Sequence, residues 1–185
     1  GDCLIPGRVI EEAFRPLSRY GVEVEVIEWE TGDVKELLER QRHIERRGPE
    51  AEDPPAGLAG LVRDAEILVA HFCPFPAAIL EAGERLRLVA TMRAGLENID
   101  VSAAARKGLT VVNTPGKNAQ AVSDLAVGLL LAEARNIARC HAAIRSGWWR
   151  QDFSNAATCP ELPGSTVGLI GFGLIGKLMA QKLRG

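Results

Sequence analysis

The feature that most restricts the fold of this chain is a glycine-rich turn between an apolar run and an apolar helical segment. Residues 165–170 read Ser-Thr-Val-Gly-Leu-Ile, and the turn is Gly171-Phe172-Gly173-Leu174-Ile175-Gly176. This spacing is a weak signal in a chain with 19 glycines. A buried strand before the turn and a helix after it are, however, the context that a phosphate-binding turn requires. The pattern therefore predicts one strand-turn-helix unit that binds a dinucleotide.

Each glycine of this turn has a physical role in such a site. Gly171 permits the tight turn, Gly173 leaves room for a pyrophosphate against the backbone, and Gly176 lets the helix lie close to its strand. Free N–H groups at the start of the helix hold the phosphates. The acidic residue that binds the ribose of NAD normally follows about 20 residues later, which falls beyond Gly185. We predict NAD as the cofactor, and NADP stays open.

Residues 58–113 alternate helical segments with short apolar runs. The helical segments are Leu58–Asp64, Ala77–Ala82 and Val101–Lys107, and the strand-like runs are Glu66–Ala70, Leu86–Thr91 and Leu109–Asn113. This order predicts βαβ units with right-handed crossovers, and hence a parallel sheet covered on both faces.

Three further elements are predicted outside this alternating region. The alternation of apolar and acidic residues over Val22–Ile27 is typical of an outer strand with one solvated face. Asp33 and Glu36 form a capping pattern for a helix that runs to about Arg47. One stripe of this helix is predicted to consist of Val34, Leu37, Leu38, Gln41 and Ile44. After Asn118, mainly apolar residues recur at steps of three and four positions, from Val122 to Ile144. This spacing predicts one long helix over residues 119–146.

Composition excludes several classes of protein. The chain has 22 Lys and Arg against 24 Asp and Glu, a net charge of −2, so it lacks the positive charge that nucleic-acid binding requires. No apolar run approaches the roughly 18–20 residues of a membrane span. The cysteines are far apart and form no CxxC pair, which argues against a zinc site; they are Cys3, Cys73, Cys140 and Cys159. We expect reduced thiols, no metal and a cytoplasmic protein that binds neither nucleic acid nor membranes.

Two stretches resemble the D-isomer-specific 2-hydroxyacid dehydrogenases. The first is Thr-Met-Arg-Ala-Gly-Leu-Glu-Asn-Ile-Asp at residues 91–100, followed by Lys-Gly-Leu-Thr-Val-Val-Asn-Thr-Pro-Gly at residues 107–116. The second begins with Asn-Ala-Gln-Ala-Val-Ser-Asp-Leu at residues 118–125 and leads through Ala-Arg-Asn-Ile at residues 134–137 to the glycine turn. The resemblance covers residues 90–185 in the family's order and spacing. Within the family it is closest to phosphoglycerate-dehydrogenase-like members.

The resemblance implies an α/β fold with a flavodoxin-like parallel-sheet substrate lobe, here residues 1–114. The truncated start of a Rossmann dinucleotide domain would follow over residues 115–185. It also implies an NAD(P)-dependent oxidoreductase that exchanges a hydride with a small D-2-hydroxy or 2-keto acid, and a homodimer in the full-length protein. The family's catalytic histidine, carboxylate and arginine lie downstream of the turn. We therefore assign no catalytic residue and expect an N-terminal fragment that is inactive alone.

The resemblance places substrate contacts on the loop after the second predicted strand. By position, the backbone N–H groups of Ala94 and Gly95 would hold the substrate carboxylate. Many members have a glycine where this chain has Arg93, whose guanidinium either binds a carboxylate or phosphate or points to solvent.

Asn118 and His71 are further candidates, each with a structural alternative. Asn118 lies where some members orient the substrate with an amide, but Asn is also a preferred helix N-cap. His71 lies near a basic substrate contact of some members, but a packed or solvent-facing histidine explains it as well. Asn98 and Asp100 are expected to fix the loop and cap the next helix.

Two other functions stay open from the sequence. The first is a non-enzymatic regulator of the same fold that senses NAD. The second is an independent flavodoxin-like binding module in which residues 148–185 form a tail.

Overall fold

A computed structural model describes residues 1–158 and 161–184. The chain divides into two compact units, of which the first is Gly1–Pro115 and the second begins at Gly116. Cys159 lies outside the described residues, and Cys3, Cys73 and Cys140 are free thiols. No helix in these described ranges is long and apolar enough to cross a membrane.

The first unit contains five α-helices and three β-strands among its described residues. In chain order they are α1 Gly7–Phe14, α2 Val34–Arg47, α3 Leu58–Asp64, β1 Ile67–Ala70, α4 Ala77–Ala82, β2 Leu88–Thr91, α5 Val101–Arg106 and β3 Thr110–Val112. The strands form a parallel sheet in the order β1-β2-β3. The predicted βα alternation and the parallel sheet are thereby confirmed. Helix α1 was not predicted.

The core of the first unit is formed by side chains from both its helices and its strands. Five side chains that are at most 1% exposed lie on α2, α3, α4 and β2, namely Leu37, Ile44, Val62, Leu80 and Val89. A parallel strand needs apolar cover on both faces, and helices α2, α3 and α4 supply four of these five side chains.

Helix α2 begins and ends where the sequence predicts. The carboxylate of Asp33 accepts a hydrogen bond from the Glu36 N–H at 2.8 Å, and the helix ends at Gly48, whose φ of +85° favours glycine. The apolar stripe is narrower than predicted, because Val34 and Leu38 are both exposed.

The predicted outer strand over Val22–Ile27 is wrong. This segment has no assigned strand, and Val22 and Val24 are each 41% exposed. Its end is held by the first residue, since the Gly1 nitrogen donates to the Ile27 carbonyl at 2.6 Å. An alternating pattern becomes a strand only when a neighbouring backbone supplies hydrogen bonds. The described residues provide no such neighbour along this segment.

The second unit contains α6 Ala119–Ala134, α7 Ile137–Arg145 and α8 Leu174–Arg184. The prediction of a single helix over residues 119–146 is wrong, because the chain breaks at Asn136, which has a left-handed φ of 57°. Asn tolerates this conformation better than most residues. Its side-chain N–H donates to Asn155 at 2.7 Å, and its oxygen accepts from Arg139 at 2.9 Å. The apolar spacing persists because α7 resumes directly after the break.

The predicted buried strand at residues 165–170 is also wrong. These residues have no assigned strand, and Val167 and Ile170 are exposed. An apolar run forms a parallel strand only beside another strand. The described part of the second unit contains no strand that could pair with it. Helix α8 instead packs on α6, where the Lys182 ammonium bonds to the hydroxyl of Ser123 at 2.6 Å and to the carboxylate of Asp124.

The ammonium group of Lys107 closes the end of α4. It donates to the carbonyl oxygens of Leu80 at 2.7 Å and Glu81 at 3.0 Å, and also to that of Gly83. A cation at a helix C-terminus satisfies carbonyls that have no partner within the helix.

Replacing this ammonium by an apolar group should destabilise the first unit. We expect Lys107→Met to lower the free energy of unfolding by about 2 kcal/mol, because partly buried carbonyls lose their donor. Urea denaturation measures the change. Arg106→Met is the matched control, since the Arg106 side chain is 64% exposed and lies 4.0 Å from its carboxylate partner. Equal stability losses in the two variants would contradict this role for Lys107.

Candidate functional site

The glycine turn leads directly into α8, whose first residue is Leu174. Gly171 has a φ of +91°, a conformation that side chains with a Cβ rarely adopt. A Cβ on Gly173 would meet no atom within 4 Å, whereas a Cβ on Gly176 would overlap the carbonyl oxygen of Gly171. The turn is thus open at its second glycine and closely packed at its third.

The turn also presents backbone donors. Within the described ranges, the N–H groups of Gly173 and Leu174 bond to no acceptor. Phe172 and Leu174 direct exposed side chains to the surface, and Ile175 is 39% exposed. Free N–H groups, an open backbone and the positive end of a helix dipole together suit a phosphate group. The residues present therefore fit the pyrophosphate of a dinucleotide.

The second candidate site lies in the first unit, at the edge where the parallel strands end. Strand β1 is followed by His71, and β2 leads into the loop that contains Ala94 and Gly95. The register pairs Ala70 with Thr91, so these two strand ends lie side by side. The carboxyl edge of a parallel sheet is the usual place for a ligand in this class of fold.

The loop after β2 is held through its carbonyl groups. The Asn113 amide donates to the Ala94 carbonyl at 2.6 Å, and the Thr114 N–H donates to the Arg93 carbonyl at 2.8 Å. The N–H groups of Ala94 and Gly95, by contrast, donate to no acceptor in the described part of the chain. Two successive free N–H groups on a fixed loop suit an anion such as a carboxylate.

Arg93 does not point to solvent. Its side chain is 11% exposed, its guanidinium bonds to the Glu45 carboxylate on α2 at 2.8 Å, and it lies 4.7 Å from the centre of the Phe72 ring. The Glu97 carboxylate lies 3.9 Å from the same guanidinium. A buried guanidinium needs such partners. These contacts direct Arg93 to carboxylates of the protein itself.

The side chain of His71 is packed inside the first unit and does not face solvent. The residue is 8% exposed, and its ring centre lies 4.0 Å from that of Phe72. Its Nδ1 atom lies 3.0 Å from a carboxylate oxygen of Asp2. Sequence reasoning missed Asp2, because 69 residues separate the pair and nothing near Asp2 in the sequence indicates its partner.

Asn98 and Asp100 have structural roles, whereas Asn118 is exposed. Asn98 is fully buried and donates to the Cys73 carbonyl at 3.0 Å, and Asp100 caps α5 through the Ala103 N–H at 2.8 Å. Both expectations for these two residues are confirmed. Asn118 occupies the N-cap position of α6 without a capping bond from its side chain, which is exposed. Among the described residues, no group of His, Cys, Asp and Glu could hold a metal ion.

Comparison with known proteins identifies the family. The model of the D-isomer specific 2-hydroxyacid dehydrogenase catalytic domain matches residues 17–170. The chain belongs to this family. Hydroxypyruvate reductase from Thermotoga maritima is 42% identical over 126 residues, which cover 68% of this chain and 40% of that protein. D-3-phosphoglycerate dehydrogenase from Mycobacterium leprae is 36% identical over 141 residues, which cover 76% of this chain and 26% of the relative.

A solved structure gives the same assignment. NADPH-dependent glyoxylate/hydroxypyruvate reductase from Sinorhizobium meliloti, solved with NADP and malonate, is 33% identical with a TM-score of 0.52. The match covers 68% of this chain and 40% of that protein. The chain therefore spans less than half the length of these members of the family.

The second and third glycines of the turn should respond differently to the same substitution. We expect Gly176→Ala to accelerate amide exchange in α8, because its Cβ would displace the Gly171 carbonyl. Gly173→Ala should leave amide exchange in α8 unchanged, because its Cβ enters open space. Hydrogen exchange without nucleotide measures both. Identical exchange rates in the two variants would contradict the geometry described for the turn.

Proposed function

We propose that this chain is part of an NAD(P)-dependent oxidoreductase that acts on the CH–OH group of a D-2-hydroxy acid, reversibly, to give the 2-keto acid. The observation that carries this proposal is the pair of free N–H groups at Ala94 and Gly95, on the sheet edge of a chain that belongs to the 2-hydroxyacid dehydrogenase family. The S. meliloti relative was solved with NADP and malonate, a small carboxylate, which supports a substrate of this class.

The Ala94–Gly95 loop would bind the substrate carboxylate. Because the Asn113 amide and the Thr114 N–H hold the loop through its carbonyl groups, the N–H donors need no rearrangement when the anion binds. Fixed donors stabilise a bound anion more than mobile ones do. Asn118 stays a candidate for the amide contact that the family resemblance implies, and its exposed side chain makes no capping bond. Arg93 contributes by holding α2 against the loop through Glu45.

The glycine turn would hold the pyrophosphate of the dinucleotide. The open backbone at Gly173 and the free N–H groups at the start of α8 support this role. When bound, the nicotinamide supplies or accepts the hydride at C2 of the substrate. NAD is our first choice, and NADP, which the S. meliloti relative binds, is the alternative.

The chain alone is proposed to be inactive. Hydride transfer from a hydroxy acid also requires a group that takes the hydroxyl proton, and the described residues present no unpartnered acid or base beside the Ala94–Gly95 loop that we assign to this role. The matched residues cover only 40% of the T. maritima relative and 26% of the M. leprae relative, which supports a contribution from residues beyond this chain.

We also propose that the full-length protein is a homodimer that uses the apolar face of α6 and α7. Six large apolar side chains on and after these helices are each more than half exposed, namely Leu125, Leu129, Ile137, Ile144, Trp148 and Trp149. Soluble monomers rarely expose so many large apolar groups together. A cytoplasmic location is proposed as well, since Cys3, Cys73 and Cys140 are unpaired and disulfides are rare in that compartment.

The activity is tested with the full-length gene product and with this chain alone. We expect the full-length protein to oxidise NADH or NADPH in the presence of glyoxylate or hydroxypyruvate, measured by absorbance. The chain of 185 residues should give no turnover. Absence of turnover with every 2-keto acid in the full-length protein would overturn the proposed function. Turnover by this chain alone would overturn only its inactivity.

The dimer is tested by light scattering after size-exclusion chromatography of the full-length protein. We expect a dimer mass that Leu125→Glu together with Leu129→Glu converts to a monomer mass, because a charge at each position opposes burial of the apolar face. Glu133→Gln, at an exposed site of the same helix, is the control and should stay dimeric. A monomer mass for the unaltered protein would contradict this proposal.

A further inference from the structure

The carboxylate of Glu97 lies against Gly95 in the loop that follows β2. A Cβ added to Gly95 would overlap both carboxylate oxygens of Glu97, with Oε2 the nearer of the two. Since a Cβ lies about 2.5 Å from the nitrogen of its own residue, Oε2 lies within about 4.5 Å of the Gly95 nitrogen. The free N–H group of Gly95 therefore has a negative charge beside it to which it makes no hydrogen bond.

No hydrogen bond from a described residue holds the Glu97 side chain in this place. The side chain is 44% exposed, and its ion-pair partner is the Arg93 guanidinium. The distance from Glu97 Oε2 to Arg93 Nη1 is 3.9 Å, which is too long for a hydrogen bond. The carboxylate can therefore move by rotation of its own side chain without breaking a hydrogen bond of the fold.

Arg93 offers this carboxylate a second position. Its Nη1 atom is buried and has no hydrogen-bond partner in the described part of the chain, whereas Nη2 bonds to Glu45 at 2.8 Å. The guanidinium also lies over the Phe72 ring, so its place is fixed from two sides. A buried donor without an acceptor is unfavourable. A shift of Glu97 Oε2 by about 1 Å toward Nη1 would supply this acceptor.

Glu97 differs in this respect from other acidic residues near the same edge of the sheet. Three of them each accept a hydrogen bond, namely Asp2, Glu45 and Asp100. Burial alone would raise the pKa of Asp2, but its hydrogen bonds with the His71 ring and with two backbone N–H groups outweigh burial, so the pKa is lowered. These three carboxylates are therefore fixed in the fold, whereas that of Glu97 is not.

The charge of Glu97 opposes an anion at the loop. A ligand carboxylate bound to the Gly95 N–H group would lie on the order of 5 Å from Glu97 Oε2. In a medium close to water, two unit charges about 5 Å apart repel each other enough to weaken binding about fourfold. Movement of Glu97 toward the Arg93 guanidinium would place its charge next to a positive one and reduce this repulsion.

We propose that the Glu97 carboxylate competes with the substrate carboxylate at the Ala94–Gly95 loop, and that it turns to Nη1 of Arg93 when the substrate binds. Glu97 then determines how tightly the loop holds a carboxylate. The proposal rests on the function proposed above, and it adds a residue that sets substrate affinity without taking part in hydride transfer.

The competition is tested by NMR titration of the labelled chain with sodium acetate at constant ionic strength, following the amide signals of Ala94 and Gly95. We expect Glu97→Gln to bind acetate about fourfold more tightly than the unaltered chain, because the repulsion is removed. Glu66→Gln is the matched control and should leave the affinity unchanged. Glu66 is an exposed glutamate paired with Arg85 at 3.4 Å, directly before β1 and hence at the opposite edge of the sheet.

The possible results of this titration separate the inference from the function on which it rests. Equal acetate affinities in Glu97→Gln and the unaltered chain would overturn the inference, while the loop would stand as an anion site. If acetate moves the Ala94 and Gly95 signals in none of the proteins, the proposed carboxylate site fails and the inference fails with it.

The effect on the reaction is tested by steady-state kinetics of the full-length protein with glyoxylate. We expect Glu97→Gln to lower KM about fourfold with kcat nearly unchanged, since repulsion of the carboxylate is the same in the ground state and the transition state. An unchanged KM, or a loss of kcat, would overturn this role for Glu97. If the unaltered protein does not react with any 2-keto acid, the proposed function fails, and the acetate titration still decides the competition.

The turn of the side chain is tested by a crystal structure of the full-length protein with acetate bound at the loop. We expect Glu97 to lie within hydrogen-bond distance of Arg93 Nη1, at most about 3.2 Å, instead of the 3.9 Å seen without a ligand. A Glu97 carboxylate that stays against Gly95 beside the bound acetate would overturn the proposal.

Discussion

The parallel pairing of β1, β2 and β3 is the constraint on which the rest of the first unit depends. Because Ala70 pairs with Thr91 and Ala90 with Val112, the three strands end at one edge of the sheet. This alignment brings His71 and the Ala94–Gly95 loop to neighbouring positions, although more than 20 residues separate them. Without the pairing, neither group would have a defined place.

Hydrogen bonds to carbonyl groups then give the loop its shape. Asn113 and the Thr114 N–H bind the loop carbonyls, and Asn98 binds the Cys73 carbonyl from a fully buried position. Every one of these bonds uses an acceptor of the backbone. The donors at Ala94 and Gly95 consequently stay free, and a surface with free donors on a rigid frame attracts anions.

The charged side chains at this edge of the sheet bond to other groups of the protein. Arg93 is held between Glu45 and Phe72, and Asp2 is held by His71 and two N–H groups. Burying a charge without a partner is unfavourable. Arg93 therefore pairs with Glu45 and Asp2 with His71, although each pair is far apart in the sequence. The sequence alone left Arg93 with two alternatives and did not single out Asp2 at all.

Local patterns in the sequence were sufficient for much of the chain. They predicted the βα alternation of residues 58–113, the cap of α2 at Asp33, the loop-fixing roles of Asn98 and Asp100, and the family. These features depend on residues near one another in the chain. Longer-range features were not predictable. Val22–Ile27 and residues 165–170 have the sequence pattern of strands, but the described part of the chain offers neither of them a neighbouring strand, and Asn136 divides one periodic helix into two. Periodicity and glycine spacing determined which elements this protein can form. Tertiary structure alone decided which strands pair and which buried charges meet, because hydrogen bonds and ion pairs join groups that the sequence keeps far apart.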